Sequence, residues 1–331
     1  VRQAAHKARW ALALGLGGLG LLVGHSAAAN PPRLGLPVSC SLGETCFIQQ
    51  FVDHAPGPTA RDYTCGALSY DGHKGTDFGL PNMQHMAAGV DVLAAAPGRV
   101  AGTRDGMPDT GWAPTLAGRE CGNGVVIQHA DGWETQYCHM KQGSIAVQRG
   151  QTVQAGTVLG QVGFSGRTEF PHLHLSVRHD GQVIDPFDAD GQISCLGEGH
   201  TSLWAMPLPY QPGGLLAGGF AENVPSFDAV KAGTASPTPN RLPRQPKALV
   251  FWAHGFGAKP GDQLDIAITA PDGSTFFQTR VTLEKTQAQY FRAAGRRVSA
   301  PLMAGLYSGR ATLLRAGEQL GQSEGQITIA D

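Results

Sequence analysis

The sequence predicts an all-β protein in which an antiparallel β-sheet domain is followed by a small C-terminal β-sandwich of immunoglobulin-like architecture. Three observations predict it. From Cys40 to about Asp190 the chain is a succession of short β-branched or alternating runs punctuated by glycine, among them "GNGVVIQHA", "WETQYCHM" and "HLHLSVRHDGQVIDP". After residue 245, "ALVFWAHGFG", "DQLDIAITAPDG", "TFFQTRVTLEK", "AQYFRAAGRRV", "GLYSGRATLLRAGEQ" and "GQITIA" supply six strand candidates in about 85 residues. Between the two sets, residues 201–245 accumulate Pro and Gly and lose periodicity, as in "KAGTASPTPNRLPRQPKA", which reads as a linker.

At the start of the chain, residues 1–29 join Arg2, Lys7 and Arg9 to an apolar run from Trp10 to Val23 and to the small residues Ala27, Ala28 and Ala29. That is the pattern of a secretory signal peptide cut near Ala29. The apolar core is short and glycine-rich for a membrane span, so an exported, periplasmic or secreted, product without an integral membrane domain is expected. Removing the leader takes three basic residues and no acidic ones, leaving 22 basic against 26 acidic and a net charge of −4. Such a balance offers no electrostatic footprint for nucleic acid.

Residues 30–200 are expected to form the first domain, with a cysteine-rich N-terminal extension, and 246–331 the sandwich. The chain has 6 cysteines, an even number, and export favours disulfides over free thiols. Cys121 and Cys138 flank two strand-like runs joined through Asp131-Gly132, a hairpin signal that places them on adjacent strands and predicts a bridge. The remaining four cysteines have no pairing readable from the sequence. Within the first domain "VQRGQTVQAGTVLGQVG" reads as a tight meander turned by Gly150 and Gly156, and a helix is poorly supported anywhere.

Two short stretches carry candidate chemistry. In "YDGHKGTDFGLP", His73 and Asp77 stand four apart, yet Gly72, Gly75 and Gly79 argue against a helix, so the pair is expected at a strand end or tight loop. Both can ligate a metal there only if a third ligand arrives from elsewhere. In "FPHLHLSVR", His172 and His174 lie two apart in an alternating run and so project to one face of a strand, roughly 6.5–7 Å apart. One of them can reach a zinc ion while the other addresses bound water or substrate. Three protein ligands and an open fourth position mark a catalytic rather than a structural zinc site. His139, in "TQYCHMK", is a fifth candidate whose backbone the Cys121–Cys138 bridge would hold in place. His54, His85, His129, His179, His200 and His254 stand in no such pattern and read as surface or hydrogen-bonded residues.

"GHKGTDF", "YCHM" and "PHLHL", with "APGRV" after the first and a glycine-spaced valine run between the last two, resemble the lysostaphin/LytM-type zinc endopeptidases that cut peptidoglycan peptides. The resemblance runs from Tyr70 to Pro186, about a third of the chain. It implies an antiparallel β core with a groove, His73, Asp77 and His174 as zinc ligands, and His139 and His172 as catalytic histidines. It also implies the cofactor, Zn2+, the substrate class, peptide cross-links of peptidoglycan, and the reaction, hydrolysis by water activated on the metal. The family often has Phe after the histidine pair and a Ser/Thr-Gly pair shortly before it. Here Leu175 follows, and Ser165-Gly166 is separated from "PHLHL" by "RTEF".

The segment 103–120, "TRDGMPDTGWAPTLAGRE", is expected to wall the groove, and the sandwich to dock on the wall, cover the groove or recruit a partner. Two rivals are weaker. A non-catalytic regulator that activates a wall amidase would be expected to lose ligands, whereas all five candidate positions are filled. A cell-surface binding protein would use the sandwich, where Trp252, His254 and Phe256 read as strand and core.

Overall fold

A computed structural model describes Val1 and residues 31–113, 116–191, 195 and 201–331. The expected signal peptide lies outside the described residues, Val1 excepted. Residues 31–331 form one compact unit. Among the described residues no helix is long and apolar enough to cross a membrane.

The first half of the unit is built from β1 (Phe47–Gln50), β2 (Thr76–Gly79), α1 (Met83–Ala88), β3 (Asp91–Leu93), β4 (Gly98–Arg104), β5 (Asn123–Gln128), β6 (Trp133–Met140), β7 (Thr152–Val153), β8 (Val158–Gln161), β9 (His172–His179) and β10 (Gln182–Ile184). Its main sheet runs in the order β1-β2-β9-β6-β5-β4-β7, with β10 on β9, and β3 pairs separately with β8. Each pair of these named strands is antiparallel. The glycine-spaced run 147–163 is not a meander closed on itself, because β7 pairs with β4 and β8 with β3.

Strand alternation explains how this sheet divides its labour. In β9, Leu173, Leu175 and Val177 are buried in the core at 0–1% exposure, while His172, His174 and Ser176 take the opposite face. Each fully buried Leu or Val contributes about 1.5–3 kcal/mol relative to leaving it in water. Phe78 does the same for β2, which leaves Asp77 on the face shared with the histidines. One helix is present where none was expected. Asn82 caps α1 by accepting from the His85 N–H, and Gly89 closes it.

The second half comprises β11 (Gly214–Ala221), α2 (Phe227–Ala232), β12 (Arg241–Leu242), β13 (Ala248–Ala258), β14 (Gln263–Thr269), β15 (Thr275–Thr282), β16 (Gln287–Arg297), β17 (Gly305–Arg315) and β18 (Glu318–Ile329). A sheet β11-β13-β16 and a sheet β12-β18-β17-β14-β15 enclose a core of Phe251, Leu264, Ile266, Leu313 and Ile327. The stretch 201–245 is more ordered than its composition suggested. Leu203 and Trp204 are buried in the first core, and β11 pairs along its length with β13.

The two halves meet on β1. Phe256 of β13 is buried in the first core, its ring 4.7 Å from Phe47, and Gln289 Nε2–H donates to Gln49 at 2.9 Å. Phe47 lies opposite Gly79, and Gly79 opposite His172, so these three share one face of the sheet. The sandwich is therefore packed at the edge of the histidine-bearing face. Trp252, His254 and Phe256 are buried at 6%, 1% and 2% exposure, as a strand-and-core reading of "FWAHGFG" requires. Three disulfides close the described cysteines, Cys40–Cys46, Cys65–Cys195 and Cys121–Cys138, the last as the hairpin signal predicts.

Candidate metal centre

His73 sits in the turn before β2, and Asp77 within β2. The turn must pass under His174. A Cβ at Gly75 would lie 2.6 Å from both His174 Nε2 and the Leu175 carbonyl, so only glycine fits there. Asp77 and His174 are direct cross-strand partners in the β2–β9 ladder. The three side chains meet: His73 Nε2 lies 3.2 Å from Asp77 Oδ1 and 3.2 Å from His174 Nδ1, and His174 Nδ1 lies 2.7 Å from Asp77 Oδ1.

The ring nitrogens turned away from this point have partners of their own. His73 Nδ1–H donates to the Phe51 carbonyl at 2.7 Å, and a carbonyl can only accept, so whenever the ring is neutral Nε2 is its lone-pair nitrogen. His174 Nε2 lies 3.0 Å from Ser176 Oγ, a hydroxyl able to accept from Nε2–H and so leave Nδ1 as the ligand atom. Two imidazole lone pairs and a carboxylate oxygen thus face one another. A zinc ion ligated at about 2.0–2.1 Å in a tetrahedron needs ligand atoms about 3.3 Å apart, close to the 2.7–3.2 Å spacing seen. Outer hydrogen bonds of this kind fix the tautomer of a ligating histidine. The donor set fits zinc.

His139 and His172 stand beside this triad. His139, His172 and His174 also bring ligand atoms within 4.8 Å of one another, so His174 belongs to both clusters. His172 Nε2 is 3.5 Å from Asp77 Oδ1. The Phe170 carbonyl accepts from the His172 Nδ1–H at 3.0 Å and from the Thr168 hydroxyl at 2.6 Å, and the Phe170 ring stacks on the imidazole at 4.4 Å. His139 donates its Nδ1–H to the Ser165 carbonyl at 2.8 Å.

His139 occupies a left-handed backbone position, φ 62°, which costs about 1–2 kcal/mol for a residue with a side chain. Two neighbours hold it there. Its N–H donates to the Cys121 carbonyl at 2.8 Å, and the Cys121–Cys138 bridge ties the residue bearing that carbonyl to the one immediately before His139. Ser165 in turn is fixed from inside, donating its hydroxyl to the Met140 carbonyl and accepting from the Asn123 N–H. A Cβ at Gly166 would lie 2.3 Å from the Glu120 carbonyl, so the Ser165-Gly166 corner closes only with glycine.

Burial and charge set the protonation of the group. His73, Asp77, His139 and His172 are each 3–7% exposed. Burial pushes Asp77 up, but His73, His172 and His174 around it hold its carboxyl well below the usual carboxylate range. Burial pulls His73 down, yet the Asp77 carboxylate and the bond to Phe51 raise it above the ordinary histidine value. His139 is held well below that value by burial, reinforced by His172 and His174. His172 is also lowered by burial, against the pull of Asp77. At neutral pH both are uncharged bases.

All five histidine and aspartate candidates therefore converge. The main-chain acceptors at Phe51, Ser165 and Phe170 are invisible in the sequence, since a carbonyl carries no residue signature. Ser176 was within reach, because it follows His174 at the same two-residue spacing. Tyr70, 54% exposed, lies with its ring 4.4 Å from that of His73 and edges the site.

Comparison with known proteins identifies the stretch that carries these residues. Residues 71–186 match the model of Peptidase family M23, and the resemblance to lysostaphin/LytM-type enzymes holds over that region. The DD-carboxypeptidase/endopeptidase Mpg of Neisseria meningitidis serogroup B is 33% identical over 114 residues, 34% of this chain and 22% of that protein. The peptidoglycan DD-endopeptidase ShyA of Vibrio cholerae is 32% identical over 118 residues, 36% of this chain and 23% of that protein. The chain thus spans less than a quarter of the length of these curated relatives. The catalytic domain of the prophage-encoded M23 protein EnpA from Enterococcus faecalis aligns at 28% identity over 41% of this chain and 95% of that one. Its TM-score is 0.29, too low to bear on the site.

Proposed function

We propose that the chain is an exported zinc-dependent endopeptidase that hydrolyses peptide bonds in cell-wall peptidoglycan, with His73, Asp77 and His174 holding the metal and His139 and His172 acting on the substrate. The observation that carries this reading is the mutual approach of His73 Nε2, Asp77 Oδ1 and His174 Nδ1 at 2.7–3.2 Å with their other ring nitrogens already engaged. When bound, zinc supplies Lewis acidity, polarising a substrate carbonyl and making water ionisable near pH 7.

The remaining chemistry belongs to the side chains. His139 and His172, each with Nδ1–H tied to a carbonyl, keep Nε2 as a base able to take a proton from water and return it to the leaving amine. Once protonated, either one stabilises negative charge developing on the carbonyl oxygen. Phe170 stacked on His172 and the clamp on His139 limit the motion of both bases, so their geometry is fixed before substrate arrives. Disulfide bonding of the described cysteines supports an oxidising, extracytoplasmic compartment.

The test is mass spectrometry of muropeptides released from purified peptidoglycan by the zinc-loaded chain. Zinc-dependent release of fragments with new peptide termini and intact glycan bonds is the expected outcome, and the fragment masses name the bond. Unchanged peptidoglycan at full zinc loading would remove the proposal.

A further inference from the structure

We propose that Asp53 is a positioning residue for the metal ligand His73, which makes the segment 51–55, outside the stretch matched to the family, a working part of the metal centre. This rests on the ligand set proposed above. His73 ends a turn that is closed by the bond from its own N–H to the Tyr70 carbonyl at 3.0 Å. Packing leaves the backbone of that turn open on one side. Gly72 takes φ 72°, and among the described residues, its chain neighbours aside, nothing lies within 4 Å of the point a Cβ there would occupy. Gly72, His73 and Lys74 also border a cavity of about 540 Å3. The backbone of a ligand on such a turn must be aimed by hydrogen bonds.

Asp53 supplies those bonds. Its Oδ2 accepts from the Gly72 N–H at 2.9 Å, and its own N–H donates to the His73 carbonyl at 2.9 Å. The two bonds bracket Gly72 and His73, while the Phe51 carbonyl takes the ring Nδ1–H at 2.7 Å, so backbone and imidazole of one ligand are held from one short segment. Asp53 is itself fixed, because its Oδ1 accepts from the N–H groups of Ala55 at 2.9 Å and Arg61 at 3.2 Å. Carboxylate-to-amide bonds of this kind are among the stronger hydrogen bonds. The next residue fastens the segment to the chain just after β10: His54 Nε2 lies 2.7 Å from Asp185 Oδ2, and Asp185 Oδ1 accepts from the Phe187 N–H at 2.8 Å.

The clamp acts on the ligand rather than on the core. Asp53 is half-buried and belongs to none of the hydrophobic clusters, so its removal takes hydrogen bonds from the turn and leaves core packing alone. Asp62, in the same N-terminal part of the chain, is the contrast. It is 0% exposed and accepts from the N–H groups of Thr64, Gly66 and Leu68 and from the Tyr210 hydroxyl, and none of the five site residues is among these partners. Losing an outer partner that orients a ligand lowers metal affinity about 10- to 100-fold, whereas losing a loop bond remote from the metal lowers stability alone.

The experiment measures the zinc dissociation constant of the full chain by competition with a chromophoric chelator, together with the melting temperature of the metal-free chain. Asp53→Ala is expected to raise the dissociation constant about 10- to 100-fold at a melting temperature near wild type, and the isosteric Asp53→Asn, which keeps one oxygen, to fall between. Asp62→Asn is expected to do the reverse, lowering the melting temperature with zinc affinity unchanged. Wild-type affinity in Asp53→Ala, or an equal loss of affinity in Asp62→Asn, would overturn the clamp. A second readout needs no metal. Two-bond proton–nitrogen NMR spectra of the metal-free chain, taken above the pH at which His73 titrates and assigned through His73→Gln, should show a single Nδ1–H tautomer of His73 in wild type and a mixture in Asp53→Ala. An unchanged tautomer in Asp53→Ala would overturn the clamp. The mixture appearing in a chain whose wild type takes up no zinc would overturn the metal-centre reading and leave the clamp standing.

Discussion

His174→Ala is expected to abolish both metal retention and peptidoglycan hydrolysis while the fold survives. The reason is geometric, because His174 supplies one of the three converging lone pairs and is the residue common to the two possible donor clusters. Alanine leaves Asp77 and His73 3.2 Å apart, and two ligands do not make a zinc site. His174 is half-buried and faces away from Leu173, Leu175 and Val177, so the core of β9 is untouched. Zinc content after dialysis should fall from about one equivalent to background, and circular dichroism should match wild type. Retained zinc with retained activity would move the ligand set elsewhere.

His139→Ala is expected to give the opposite split, with zinc retained and turnover reduced about 10²- to 10⁴-fold, the usual worth of a positioned proton-transfer group. His139 donates Nδ1–H to Ser165 and is held by Cys121, outside the His73, Asp77 and His174 triad. Its removal therefore takes away a base and spares the ligands. Binding of zinc and of substrate should change little, so the loss should fall on kcat rather than KM. Loss of zinc in this variant would show that the His139, His172 and His174 cluster is the true metal site.

Much of the site was legible because its chemistry follows local rules. His172 and His174 share a face since strand side chains repeat every two residues, and the intervening Leu173 is buried as that alternation demands. The Cys121–Cys138 bridge followed from the Asp131-Gly132 turn between its strands, where Asp131 adopts φ 54° and Gly132 φ 79°. What escaped was non-local or carried by the main chain. The Phe51 carbonyl sets the tautomer of His73 from 22 residues away, and nothing in the side chain of Phe51 announces it.

The segment 201–245 escaped for another reason. In "GLLAGGFA" glycine weakens the strand signal, yet the strand packs closely there: a Cβ on Gly219 would meet Ser236 Oγ and the Trp252 ring, so a larger residue would have to displace them. Helix α1 was readable from Asn82 as a cap and Gly89 as a stop, but at 6 residues it is too short to show a period. The seat of the sandwich on β1 depends on Phe47 meeting Phe256, two residues far apart in sequence, and no local pattern encodes such a pair.

Zinc K-edge X-ray absorption of the metal-loaded chain examines the ligand set most directly. The expected spectrum has only nitrogen and oxygen in the first shell, at about 2.0–2.1 Å, with multiple scattering from two imidazoles, unchanged in His139→Ala. A sulfur shell near 2.3 Å, or a third imidazole that disappears in His139→Ala, would contradict the assignment of the metal to His73, Asp77 and His174.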